Sequence, residues 1–151
     1  MFDSKEETMK HKNEVKKYLS FFIKGIEYRA DNHDNSKLKE PEKSIFDEYT
    51  PKLKACTYGS EEYNAYLKNM KVALDHHYAT NSHHPEHFKN GIKDMTLVDL
   101  CEMMSDWKAA TLRHSDGDIF KSIEINQKRF GYSDELKQIF INTIKFYFKQ
   151  D

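Results

Sequence analysis

Histidine and acidic side chains that could bind a metal ion are spread over five segments of the chain. Five of the eight histidines lie within twelve residues, in the stretch HHYATNSHHPEH. The other candidates are His11, the adjacent pair His33 and Asp34, and Asp106. Neutral imidazole and carboxylate groups together suit divalent first-row metals, and burying such groups without partners is costly. The set therefore predicts a metal site assembled inside a helical bundle.

Helices must position these side chains, because the apolar periodicity of the chain is helical throughout and no convincing pair of strands appears. Only five glycines and three prolines interrupt it. We predict an all-α fold of six or seven helices that forms a single domain over residues 1–151. The clearest predicted helices cover residues 4–26, 41–50, 60–77, 96–113, 118–130 and 133–149.

Two of the histidines lie on faces that this periodicity turns inward. His11 comes four residues before Val15 on the apolar face of the first helix, and His77 continues the row of Leu74 on the third. A single histidine on an apolar face is more often a hydrogen-bonded core residue. Two of them, together with the other clustered imidazoles and carboxylates, favour a shared metal site.

Composition limits the classes of protein to be considered. The chain has 24 basic and 25 acidic residues and a net charge of -1, so no overall field attracts nucleic acid or an anionic membrane. No segment approaches the roughly 18 apolar residues that a membrane span requires, and the N-terminal stretch does not resemble a secretion signal. We expect a cytoplasmic protein with no membrane partner and no need for nucleic acid. The apolar C-terminal helix suggests a homodimer.

In their order along the chain, the candidate residues resemble the HD-domain superfamily of metal-dependent phosphohydrolases. Members of that superfamily have a histidine on a first helix, a His-Asp pair on a second, one or two further histidines, and a late aspartate on a central helix. The matching residues are His11, His33, Asp34, His77 with the HHPEH cluster, and Asp106 in EMMSDWKAA. HDNSK and HHPEH are also similar to the HDxSK and HHPEH motifs of a small uncharacterised family of phage-associated and bacterial proteins.

The resemblance implies an HD-like bundle with one or two divalent metal ions, with Mn, Fe, Co or Ni favoured and Zn or Mg as alternatives. The first ion would be bound by His11, His33, Asp34 and Asp106. Asp34 would bridge to a second ion held by His77 and His84, with His83 and His87 as rivals. Asp99 is the rival of Asp106, because it lies seven residues earlier on nearly the same helix face.

Residues that contact substrate follow from the same resemblance. Lys37 stands three residues after the His-Asp pair, where some nucleotidase relatives have a glutamate; HDxxK relatives would use such a lysine to contact phosphate. The catalytic set is then Asp34, Lys37 and His84, with His84 or His87 as the general acid. Further substrate contacts are expected from Asn81, His87, Lys108 and Arg113.

The implied reaction is hydrolysis of a phosphomonoester or phosphoanhydride by a metal-activated water, with a nucleotide or related small phosphorylated metabolite as substrate. One alternative is a di-iron protein that binds or activates oxygen on a helical bundle, although Pro85 within the HxxxH of residues 83–87 argues against a regular helix there. Another is a non-enzymatic helical adaptor that a metal stabilises.

Overall fold

The computed structural model describes residues 3–56, 60–113 and 117–148. These residues form seven α-helices and three short 3₁₀ helices, and they contain no strand, so the predicted all-α fold is confirmed. The α-helices are α1 (Lys5–Asn32), α2 (Glu42–Ala55), α3 (Glu61–Asn69), α4 (Lys71–Thr80), α5 (Leu97–Thr111), α6 (Ile119–Phe130) and α7 (Asp134–Tyr147). The 3₁₀ helices are Asn35–Leu38, Pro85–His87 and Gly91–Asp94.

The chain divides into two compact units, Met1–His33 and Asp34–Asp151. The first unit is the helix α1, which is one and a half turns longer than the predicted helix because the stretch after Gly25 contains no strong helix breaker. No side chain of α1 is buried, and His11 is exposed. The predicted inward orientation of His11 is therefore not observed. The prediction of a single domain over 1–151 stays a prediction.

Two helix boundaries in the second unit differ from those predicted. Helix α2 begins after Pro41, as expected. It does not end at Pro51 but continues to Ala55. Pro51 removes only one backbone hydrogen bond, and the turns on both sides of it remain helical. The single helix predicted over 60–77 is interrupted at Met70, which is 1% exposed. Ser60 caps α3 as expected, through a 3.1 Å bond from the amide of Tyr63.

Helices α5, α6 and α7 enclose the main apolar core of the second unit. Its buried members are Met103, Met104, Ile119, Ile123, Tyr132, Phe140 and Ile144. The Tyr132 hydroxyl donates a 2.6 Å hydrogen bond to the Ile123 carbonyl, so its one polar atom is satisfied inside this core. Gly131 ends α6 in the left-handed conformation, with φ 65°. The predicted end of the last helix, at 149, lies outside the described residues.

Helices α2 and α4 pack against each other and against the Asn35–Leu38 turn. Helix α5 contacts the loop after α4 through Asp99 with Ser82 and Glu102 with His83. A capping box formed by Thr96 and Asp99 begins α5. The Asp99 amide donates to Thr96 Oγ1 (3.2 Å) and the Thr96 amide donates to Asp99 Oδ2 (2.9 Å). In the described residues, every helix is too short or too polar to cross a bilayer.

Candidate metal centre

Four side chains of the second unit bring potential metal ligands together: Asp34, His77, His83 and His84. Asp34 lies just before the Asn35–Leu38 turn, His77 lies on α4, and His83 and His84 lie in the loop that follows α4. One ligand atom from each lies within 4.8 Å of the others. The crowded histidines thus share one site with the aspartate of the HD pair.

The spacing of these atoms suits a small divalent ion. His77 Nε2 lies 3.4 Å from Asp34 Oδ1, His83 Nε2 lies 3.6 Å from the same oxygen, and the Nε2 atoms of His77 and His84 are 2.9 Å apart. Ligands about 2.1 Å from an ion lie about 3.0 Å apart at octahedral angles and about 3.4 Å apart at tetrahedral angles. Three of the six pairs of ligand atoms are therefore already near the spacing of ligands on one ion.

The backbone and a lysine fix the carboxylate of Asp34. Its φ is 57°, in the left-handed region that aspartate adopts more readily than most residues. Lys37, one turn later in the 3₁₀ helix, donates a 2.6 Å hydrogen bond to Asp34 Oδ2. The other oxygen, Oδ1, is buried and faces His77 and His83. Lys37 therefore leaves the inward oxygen of Asp34 to the cluster.

A buried glutamate orients His77. Glu42, the first residue of α2, is fully buried, and its Oε2 lies 2.9 Å from His77 Nδ1. Because a carboxylate accepts hydrogen bonds, Nδ1 carries the proton in this arrangement and the neutral ring directs the Nε2 lone pair at Asp34 and His84. Metal-binding histidines characteristically donate their other N–H to a carboxylate in this way.

His83 repeats the arrangement from the other side of the cluster. Its ring is 1% exposed, and its Nδ1 lies 3.2 Å from Glu102 Oε1 on α5. By the same reasoning the proton is on Nδ1, and the buried Nε2 faces Asp34 Oδ1. Two histidines held by separate carboxylates and aimed at one aspartate oxygen form a donor set typical of metal centres.

The electrostatic surroundings keep two of the imidazoles neutral. Burial lowers the pKa of His77, helped by the charge of Lys37 and opposed by Asp34 and Glu42. Burial also lowers the pKa of His84 to about 3, with His83 and His77 acting in the same direction and Asp106 and Asp34 opposing. Only a neutral imidazole has a lone pair for a metal, so both rings are in the binding form at neutral pH.

The two rival aspartates of α5 have different environments. Asp99 is 2% exposed, and it accepts hydrogen bonds from Ser82 Oγ and Thr96 Oγ1, both at 2.6 Å. It therefore caps α5 and anchors the histidine loop. The charge of Asp106, two helical turns later, acts on His84. Asp106 is thus the aspartate of α5 whose charge reaches the cluster.

Three other predicted residues lie outside the set of four ligands. His87 is exposed, and its Nδ1 bonds to the Tyr78 carbonyl at 2.9 Å, so the HxxxH of residues 83–87 does not act as a ligand pair. Asn81 donates to Ser36 Oγ and to the His77 carbonyl, both at 2.8 Å, and its Nδ2 lies 3.1 Å from His77 Nδ1, so it packs directly against a histidine of the cluster. Lys108 lies near the end of α5.

His11 and His33 belong to the first unit, Met1–His33, and their roles as ligands stay predictions. The second unit supplies the described four-residue cluster from its own side chains.

A cavity of about 630 Å³ opens beside the cluster. Its described lining consists of Asp34, Lys37, Phe46, Thr50, Leu53, Lys54, Cys56, Tyr63 and Arg113. A volume of this size accommodates a small metabolite. Of the residues predicted to contact substrate, Lys37 and Arg113 line this cavity, whereas Asn81, His87 and Lys108 are not among its described lining residues.

Sequence reasoning missed the two glutamates that orient the histidines. The position of Glu102 in the sequence could have identified it. It lies three residues after Asp99 and four before Asp106, so it shares the helix face of these two aspartates. No sequence feature identifies Glu42, because a glutamate in the first turn of a helix is ordinarily exposed to solvent and interacts with the helix dipole. Its burial follows from the packing of α2 against α4, which is a tertiary effect.

Comparison with known proteins gives one match. Residues 1–146 match the model of DUF5662, which is described as a family of unknown function. No curated protein and no solved structure matches the chain.

Proposed function

Because the chain belongs to DUF5662, a family of unknown function, we propose its activity from the site itself. We infer that the protein is a metal-dependent phosphohydrolase that acts on a nucleotide or a related small phosphorylated metabolite. The observation that carries this proposal is the group Asp34, His77, His83 and His84, whose ligand atoms lie within 4.8 Å of one another beside a cavity with basic lining. The resemblance of the HDNSK and HHPEH segments to HD-domain hydrolases supports it.

The donor set fits a divalent ion of the first transition row. Three imidazoles and a carboxylate are the ligands that Mn, Fe, Co, Ni and Zn accept in proteins, and magnesium prefers more oxygen atoms. Glu42 and Glu102 supply the outer carboxylates that hold His77 and His83 in the binding tautomer. When bound, such an ion lowers the pKa of a water molecule and neutralises phosphate oxygens.

The protein's own residues would then position the phosphate. Lys37 lies between the centre and the cavity, with its ammonium on Asp34 Oδ2 and 5.2 Å above the ring of Phe46. It would contact a phosphate oxygen where the cavity meets the metal centre, in the role expected for an HDxxK lysine. His84 is neutral at pH 7 because of its lowered pKa, so it would serve as a ligand and not as the general acid.

The test is elemental analysis of protein purified without chelators, followed by a nucleotide panel assayed with added Mn²⁺ and with EDTA. We expect about one or two metal ions per chain and phosphate release that EDTA abolishes. His83→Gln removes a buried histidine of the cluster, and we expect it to abolish phosphate release. His87→Gln is the matched control, because His87 is exposed and bonds to a backbone carbonyl, so this variant should stay active.

Failure of every nucleotide to release phosphate with any of these metals would contradict the proposal. A coloured, iron-loaded protein that consumes oxygen would favour the di-iron alternative. Metal that raises the melting temperature in the absence of any turnover would favour a metal-stabilised adaptor.

A further inference from the structure

One face of α2 lines the cavity beside the metal centre. Four of its lining residues, Phe46, Thr50, Leu53 and Lys54, recur at intervals of four, three and one. Residues at positions i, i+4, i+7 and i+8 share a helix face. Eight residues of α-helix extend about 12 Å, so Phe46 and Lys54 lie at the two ends of this row of lining residues.

The Phe46 end is the end at the metal centre. The ring of Phe46 packs edge-on against the ring of His77, with their centroids 6.1 Å apart. The Lys37 ammonium lies 5.2 Å above the same ring and bonds to Asp34. A phosphate that reacts at the centre would therefore lie at this end.

Lys54, at the other end of this row, and Arg113 add to the cavity lining two cations that the centre does not use. Lys54 lies in the last turn of α2, and Arg113 follows the end of α5, two helical turns beyond Asp106. No carboxylate of the described residues lies within ion-pairing distance of either side chain, whereas the neighbouring Lys52 is paired with Glu48. Across the described lining, three cations face a single carboxylate, Asp34, which already binds Lys37.

The other residues of the described lining are mainly apolar or aromatic. They are Phe46, Leu53 and Tyr63, together with Thr50 and Cys56. Apolar walls with a few charged groups at defined points are typical of metabolite sites that select both shape and charge.

We propose that the substrate is an elongated phosphate ester with an apolar or aromatic middle and a second acidic group, which Lys54 and Arg113 bind at the part of the cavity lining away from Phe46 and the metal centre. The position of its reacting phosphate rests on the proposed phosphohydrolase function. The site for the second acidic group, which we call the second anionic site, does not rest on that function, because Lys54 and Arg113 form it without the metal.

The test compares two probes that differ only in the far acidic group: biphenyl-4-yl phosphate and 4′-carboxybiphenyl-4-yl phosphate. Binding to the manganese-loaded protein is measured by calorimetry, and phosphate release is measured separately. We expect the carboxylated probe to bind about tenfold more tightly, as one charge-assisted contact would give. Lys54→Gln should abolish this preference. Lys52→Gln is the matched control on the same helix and should retain it.

The two proposals fail in different ways. If both probes bind with equal affinity, or if Lys54→Gln keeps the preference, the second anionic site is refuted even when phosphate is released. If the carboxylated probe binds more tightly and this difference depends on Lys54, but neither probe is hydrolysed, the second anion-binding site is supported and the phosphohydrolase proposal is contradicted.

Discussion

Replacing Glu42 by glutamine tests whether this buried carboxylate orients the metal-binding histidines. Glu42 accepts hydrogen bonds from His76 Nδ1 (2.7 Å), His77 Nδ1 (2.9 Å) and Ser36 Oγ (3.0 Å), and it is 0% exposed. A glutamine at this position has one acceptor oxygen and one NH₂ group. The NH₂ group would face at least one of the N–H or O–H donors that now bind the carboxylate. His77 would then lose the partner that keeps its proton on Nδ1.

The expected magnitude follows from these contacts. Loss of one charge-assisted buried hydrogen bond costs about 1.5–3 kcal/mol, which lowers the melting temperature of a chain of this length by roughly 3–12 °C. Loss of a carboxylate that orients a histidine ligand weakens metal binding by about 10- to 100-fold, or about 1.4–2.8 kcal/mol. We therefore expect Glu42→Gln to reduce both stability and metal affinity.

The assay is titration of metal-free protein with Mn²⁺ and Zn²⁺ by calorimetry, alongside thermal unfolding with and without metal. Glu48→Gln is the control, because Glu48 lies on the same helix and bonds only to the partly exposed Lys52 in the described contacts. It should bind metal like the wild type. A folded Glu42→Gln protein with unchanged metal affinity would refute the orienting role, and Glu42 would then be a structural residue.

Two further predictions concern pH and the rival aspartate. The pKa of His77 and that of His84 are lowered from 6.5, to about 3 for His84, so the unfolded chain binds more protons than the folded one below pH 6.5. The stability of the metal-free protein should be full above pH 6.5 and fall below it by up to about 1.4 kcal/mol per pH unit for His84 until about pH 3, with His77 adding to the fall in the same direction, as measured by urea unfolding. The His84→Gln variant should show a smaller decrease in the free energy of unfolding per pH unit than the wild type. An identical dependence on pH in both proteins would show that His84 does not cause the decrease. Asp99→Ala removes the α5 cap and the Ser82 anchor of the loop that carries His83 and His84, so it should cost about 1–3 kcal/mol of stability and weaken metal binding less than His83→Gln does, as measured by the same titration. A loss of metal affinity in a folded Asp99→Ala protein as large as that of His83→Gln would contradict this capping and anchoring role and favour Asp99 as a ligand.

Local signals in the sequence were sufficient for most of the helices. Ser60, Thr96, Asp118 and Ser133 cap four helices with side-chain bonds, and such caps depend on residues within one turn of each other. The break at Met70 and the passage of α2 through Pro51 were not predictable in this way. Both depend on how α2, α3 and α4 pack, which propensity does not encode.

The composition of the centre was only partly predictable. Asp34, His77 and His84 were identified from residue type, order and helical face, and all three lie in the cluster. His83 was treated as a rival ligand, yet it is one of the most buried histidines in the described chain. The conformation of a loop decides which of several neighbouring histidines faces inward, and hydrophobic periodicity carries no information about a loop.

We expect one metal ion to bind between Asp34, His77, His83 and His84. The most direct measurement is a crystal structure of the protein grown with Mn²⁺, with anomalous diffraction used to locate the ion. We predict an anomalous peak about 2.0–2.3 Å from the Nε2 atoms of these histidines and from Asp34 Oδ1. Protein that binds no manganese in solution, or a peak that lies away from these four side chains, would contradict the account.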